Sequence, residues 1–122
     1  MNNSNESAAM QKSKAFAIRT VKLYNYLCEE KREYVLSKQL LRSGTSIGAN
    51  LAEARCAISK KEFLTKVSIS FKECSETAYW LELLHDTNYI TDLQYNSMST
   101  DCNELYKILS STIATLREKL KR

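Results

Sequence analysis

The sequence predicts an all-α fold: an antiparallel up-down-up-down four-helix bundle. Three observations carry this reading. The 122 residues contain no proline and two glycines, whereas sandwiches, barrels and βαβ folds need both residue types at many special turns. Apolar residues recur at spacings of three and four along four long segments, the period of a helix with one buried face. Ser/Thr-x-x-Glu/Gln boxes stand ahead of two of those segments, where a helix N-terminus places them. Residues 1–122 are read as one bundle domain with its own core and a flexible N-terminal tail over about residues 1–8.

Helix one is expected from about residue 9 to 29. Ala17, Val21, Tyr24 and Cys28 form its stripe, widened by Phe16, Leu23 and Leu27. The charged run Glu29 to Glu33 then reads as a short exposed connection. Helix two is expected from about Tyr34 to Cys56, with Leu36, Leu40, Ile47, Leu51 and Ala54 on its buried side. Both glycines lie inside it. Gly44, Gly48 and Ala52 form a ridge with almost no side-chain bulk, which lets another helix approach closely. A mid-helix glycine costs up to about 1 kcal/mol relative to alanine, which close packing would offset. A helix break at Gly44 is the competing reading. Ser59-Lys60-Lys61-Glu62 is the first capping box. Helix three follows to Leu84 or His85, with Phe63, Val67, Ser70, Phe71, Cys74, Ala78 and Leu81 in register. Thr91-Asp92-Leu93-Gln94 is the second box and opens helix four. There Met98, Cys102, Leu105, Leu109, Thr112 and Leu116 make a heptad seam.

Eighteen basic and fourteen acidic residues give a net charge of +4, with one histidine. The balance is +2 over residues 1–33, +2 over 34–57, −1 over 58–86 and +1 over 87–122. The densest basic run is Arg117 to Arg122. This balance permits nucleic-acid contact without demanding it. The C-terminal run equally suits the negative pole of a helix end. The first ten residues are polar and lack the apolar core of a signal peptide. No stretch approaches the roughly 18 apolar residues of a membrane span. A soluble, cytoplasmic protein is expected, with no membrane partner.

Little in the chain suggests catalysis. The glycines fit no phosphate-binding loop. Cys28, Cys56, Cys74 and Cys102 form no close pair, and one histidine cannot complete a zinc site with them. All four read as small buried hydrophobes of a reducing compartment. His85, beside Asp86, reads as a helix-end residue rather than a base. A more informative feature is the polar line Arg42, Ser46, Asn50 and Glu53 on helix two, with Glu73, Glu76 and Trp80 on helix three. Di-iron bundles need a Glu-x-x-His motif from each of two helices, and a single histidine cannot supply two. A buried Arg–Glu network that fixes helix register is the favoured account. No enzyme activity, metal or cofactor is expected. Leu64, Ile69, Trp80 and Leu83 fall off the core line of helix three, and seven tyrosines, including Tyr24, Tyr26, Tyr79 and Tyr89, are many for this length. That surplus of apolar surface predicts contact between subunits.

The stretch from Gln39 to Glu53, QLLRSGTSIGANLAE, resembles the signature of the bacterial 23S rRNA intervening-sequence proteins, a four-helix-bundle family. Lys61-Glu62-Phe63 and the run Lys72 to Leu81, KECSETAYWL, resemble its helix-three signature. The likeness covers about residues 12–120 in layout. Ala54 stands where much of the family has glycine, and Cys74-Ser75 replaces a usual alanine or glycine with serine or asparagine. The resemblance implies a homopentamer. It also links the chain to the similar pentamers that serve diversity-generating retroelements, which bind nucleic acid and a reverse transcriptase. It gives Arg42, Ser46, Asn50, Glu53, Glu73, Glu76 and Trp80 as structural signature positions.

The expected function is a non-enzymatic, homo-oligomeric bundle, pentameric by resemblance, that binds RNA or DNA through basic surface residues. Candidate contacts are Lys12, Lys14, Arg19 and Lys22 on helix one, with Arg117, Lys119, Lys121 and Arg122 at the C-terminus. Five copies would multiply the +4 of one subunit fivefold, which lets a weakly basic subunit hold a polyanion. A reverse transcriptase or a ribosome-related protein is a further candidate partner. The alternative is a protein-interaction scaffold without nucleic-acid binding.

Overall fold

The structure, a computed structural model, describes residues 3–121. Its helices are α1 (Asn3–Glu29), α2 (Leu36–Ala54), α3 (Lys60–Asp86) and α4 (Asp92–Lys121). α1 packs on α2, α2 on α3, α3 on α4, and α4 closes back on α1. Among the described residues the backbones of the two diagonal pairs stay farther apart. This is the expected square up-down-up-down bundle. α1 begins at Asn3, ahead of the expected start near residue 9, so the Asn3–Ala8 part of the expected tail is helical backbone. Met1, Asn2 and Arg122 lie outside the described residues.

Helix ends are set by side chains and by two left-handed residues. α2 is shorter than the expected 34–56 because Glu33 caps it. One Glu33 carboxylate oxygen accepts the Ser37 N–H at 2.7 Å and the other the Val35 N–H at 3.3 Å. The Ser37 hydroxyl donates back to the Glu33 carbonyl at 2.7 Å. Glu33 is therefore buried, and the expected exposed connection is corrected at that residue. Its carboxylate occupies the place where free amides and the helix dipole attract negative charge. Asn88 ends α3 at φ 67°, with its N–H on the His85 carbonyl and the Tyr89 N–H on the Leu84 carbonyl. That pair of bonds is a Schellman cap, with asparagine where glycine is usual. Arg32, at φ 51°, makes the other left-handed turn.

One capping box forms in full and the other by half. The Thr91 hydroxyl accepts the Gln94 N–H at 3.1 Å, and the Gln94 side chain accepts the Thr91 N–H at 2.8 Å. The Ser59 hydroxyl accepts the Glu62 N–H at 3.0 Å, but the Glu62 carboxylate takes the N–H of Ile58, one residue earlier than the box implies.

The core corrects the register of α1. Its buried face is Ala9, Ser13, Phe16, Thr20, Leu23 and Leu27. Of the expected stripe, Ala17, Tyr24 and Cys28 are half-buried and Val21 is exposed. The reason lies across the seam. A Cβ added at Gly44 would sit 2.6 Å from Thr20 Cγ2, and one at Gly48 would sit 3.2 Å from Ser13 Oγ. The two backbones approach so closely that only small residues fit between them. Thr20 and Ser13 satisfy their hydroxyls on their own helix, at the carbonyls of Phe16 and Met10. α2 runs unbroken through Gly44. Ala52 is exposed, so the close contact ends at Gly48. On α3 the buried line passes through Thr77 and Leu84, while Ala78 faces outward. On α4 Ile113 is buried and Thr112 half-buried.

Candidate nucleic-acid interface

The antiparallel topology brings the N-terminal part of α1, the α2–α3 turn and the C-terminal part of α4 to one end of the bundle. Arg55, Lys60 and Lys119 line one cavity of about 630 Å³ there, together with Ala54, Ala57, Ile58, Ser59, Phe63 and Leu116. Lys61, Arg117 and Lys121 are exposed beside it. The acids at this end are fewer: Glu53 pairs with Lys66 at 2.8 Å, Glu62 holds the Ile58 amide, and Glu118 stands exposed beside Lys119. The opposite end, where Lys31 meets the α3–α4 turn, carries Glu29, Glu30, Glu82, Asp86 and Asp92 against Lys31 and Arg32. Charge is thus sorted along the bundle axis, with an excess of cations at the α2–α3 end.

The candidate contacts named from sequence divide accordingly. Arg117, Lys119 and Lys121 belong to the cationic end, and Arg122 lies outside the described residues. Lys12 pairs with Glu104 at 2.6 Å. Arg19 pairs with Asp101 at 2.5 Å and donates to the Ser97 hydroxyl at 2.6 Å. Both clamp α1 to α4 rather than standing free. Lys14 and Lys22 are both exposed; Lys14, two residues from Lys12, stands on the far side of α1 from that seam. Arg55, Lys60 and Lys61 were missed. They flank the α2–α3 turn, and their signal was a cluster of three cations within seven residues at the turn.

The signature residues occupy the α2–α3 seam. Arg42 bonds Glu73 at 3.2 Å and also pairs with Glu76, whose carboxylate accepts the Trp80 indole N–H at 2.8 Å. The network links two helices as expected, but it is not buried. The Arg42 side chain is 49% exposed, because its position lies beside the core line of Leu40, Ser43 and Ile47 rather than on it. Ser46 and Asn50 turn back on α2, to the carbonyls of Arg42 and Ser46. Deeper in the seam, Thr77 donates to the Ser43 hydroxyl at 2.9 Å, and Ser70 donates to the Ile47 carbonyl at 2.8 Å. The sequence reading missed both bonds, though it placed Ser70 in the register of helix three. The three-four spacing Ser70, Cys74, Thr77, Leu81 was their signal.

The sequence pattern of the 23S rRNA-intervening sequence protein family matches residues 5–111. The chain belongs to that family. It is also similar to a solved structure from Bacteroides thetaiotaomicron, described as a protein of unknown function from the S23 ribosomal protein family. The two share 50% identity and a TM-score of 0.89, over 90% of this chain and 98% of the other. No protein of curated function matches.

The remaining reactive groups are held in structural contacts. His85 Nε2 meets Asp92 at 2.6 Å, and its ring stacks on Tyr95 at 4.4 Å, so it staples α3 to the start of α4. Cys74 and Cys102 are buried with sulfurs 3.8 Å apart across the α3–α4 seam. The hydrogen bond to Cys102 and burial push the Cys74 thiol far above its ordinary value, which keeps it protonated and unreactive. Cys28 is half-buried and Cys56 exposed. This corrects the expectation of four buried cysteines, since α2 ends at Ala54 and leaves Cys56 in the turn. Among the described residues no three His, Cys, Asp or Glu side chains cluster as metal ligands. None of the described helices is long and apolar enough to cross a membrane.

Proposed function

We propose that this chain is a non-enzymatic, homo-oligomeric subunit, pentameric as its family likeness implies, that binds RNA or DNA through phosphate contacts. The observation that carries this reading is the cationic end of the bundle, with Arg55, Lys60 and Lys119 around one cavity and Lys61, Arg117 and Lys121 beside it. Lysine and arginine that neutralise phosphates release condensed counterions, so affinity falls steeply with salt and depends little on sequence. A ring would repeat the cationic end in every subunit and raise avidity without any new contact. The family's name for an rRNA-borne insertion is consistent with this reading. A ribosome-related protein or a reverse transcriptase stands as a candidate protein partner.

The test is an anisotropy titration of a structured RNA at about 50 and about 200 mM salt, with light scattering for the assembly state. Binding at low salt that weakens at least tenfold at high salt supports the reading. No binding at low salt overturns it. The scaffold reading rests on Val35 and Leu93, exposed at 71% and 80% near the opposite end. It predicts a co-purifying protein partner and no RNA affinity.

A further inference from the structure

The cavity at the cationic end has two kinds of wall. Its interior is apolar, with Phe63 and Leu116 set into it, and Ile58 stands at its mouth, 93% exposed. Arg55, Lys60 and Lys119 contribute the charge. A purely phosphate-binding surface needs no apolar recess, and an isoleucine so exposed contributes nothing to this fold. At about 630 Å³ the cavity is within the size range of small-ligand sites. Double-stranded nucleic acid hides its bases in the stack and cannot use such a recess. An unpaired nucleotide presents a flat apolar base joined to an anionic phosphate, the same two chemistries.

We infer that this cavity receives an unpaired base of a single-stranded nucleic acid, the base lying against Phe63, Ile58 and Leu116 while its flanking phosphates meet Arg55, Lys60 and Lys119. The inference rests on the nucleic-acid reading above and deepens it: the preferred ligand is a single strand or a loop rather than a duplex. Ala57, at the turn, lines the cavity without belonging to the buried core. Ala57→Phe therefore obstructs part of the recess and leaves every charge in place, and Ala57→Ser is its size-matched control.

The full chain is titrated with a labelled 12-nucleotide single-stranded RNA and with a blunt duplex of the same sequence, at about 50 mM salt, where phosphate contacts are strong. Circular dichroism melts accompany each variant. The expected result is about tenfold tighter binding of the single strand. Ala57→Phe should abolish that preference, leave duplex affinity within about twofold, and melt as wild type does. Loss of one stacked base corresponds to an effect of this size. Equal affinity for both forms, or a preference that survives Ala57→Phe, overturns the cavity inference and leaves phosphate binding standing. Weakening of both forms together by Ala57→Phe but not by Ala57→Ser also overturns it. Failure of both forms to bind overturns the nucleic-acid reading itself.

Discussion

The α1–α2 and α2–α3 seams share one helix and solve opposite problems. At α1–α2 the decisive feature is missing matter: Gly44 and Gly48 let Thr20 and Ser13 sit against the α2 backbone. At α2–α3 the decisive feature is matched polar groups, from the Ser43–Thr77 hydroxyl pair inside to the Arg42–Glu73–Glu76 network outside. A contact made by absent atoms cannot yield to an added one. A contact made by paired polar atoms tolerates loss in proportion to how dry it is. The first seam is therefore the rigid one, and the second is graded from core to surface.

The sharpest break in this contrast is Gly44→Ala. The new methyl meets Thr20 Cγ2 and Oγ1 inside 3 Å, on a β-branched side chain that is fully buried. A loss of about 2–3 kcal/mol is expected by urea denaturation, as for other overpacked cores. Adding Thr20→Ala to that variant should recover part of it. Gly48→Ala should fall within about 0.5 kcal/mol of wild type, since its methyl meets only Ser13 at 3.2 Å and alanine favours the helix. If the two glycines respond alike, the distance argument fails.

A smaller effect is expected inside the second seam. Thr77→Val should lose about 1 kcal/mol by leaving the buried Ser43 hydroxyl short of its cross-helix partner, and Ser43→Ala in the same chain should restore some of it. Smaller still is Arg42→Ala, at below about 1 kcal/mol, because the guanidinium is half in water. That loss should shrink in high salt, whereas the Thr77→Val loss should not. A salt-independent Arg42→Ala effect would place the network deeper than its exposure indicates. The least effect concerns Lys66. The hydrogen bond and attraction of Glu53 raise its ammonium above the ordinary 10.5. A raised lysine stabilises the fold while it stays protonated, so this contribution is full at neutral pH. It is lost as pH climbs from about 10.5 through the folded value. Glu53→Gln should lower the neutral plateau of a melting-temperature profile slightly and leave the alkaline limb, where the contribution is already lost, unchanged.

The order and type of all four helices were legible because apolar periodicity and two capping boxes need no tertiary knowledge. The glycine ridge was legible as a place of close approach, but its partners were not. Ser13 and Thr20 are polar, so an apolar stripe steps over them and lands on Val21, which faces outward. Glu33 was hidden for the converse reason: a carboxylate in a charged run is usually solvated, and only the fold supplies the α2 amides that bury it. The cationic end escaped detection because charge was summed along the chain. Each helix runs from one end of the bundle to the other, so any segment long enough to hold a helix averages the two ends together. Sorting appears only when the turns fold Arg55 and Lys60 beside Lys119.

That sorting gives each subunit a permanent electrical direction, a dipole lying along the bundle. Rotation about a ring axis cannot exchange a subunit's two ends. Any ring with its bundles inclined toward the axis is then two-faced, one rim cationic and the other anionic. Such a ring would greet a polyanion from a single side, and rings meeting each other would attract only head to tail.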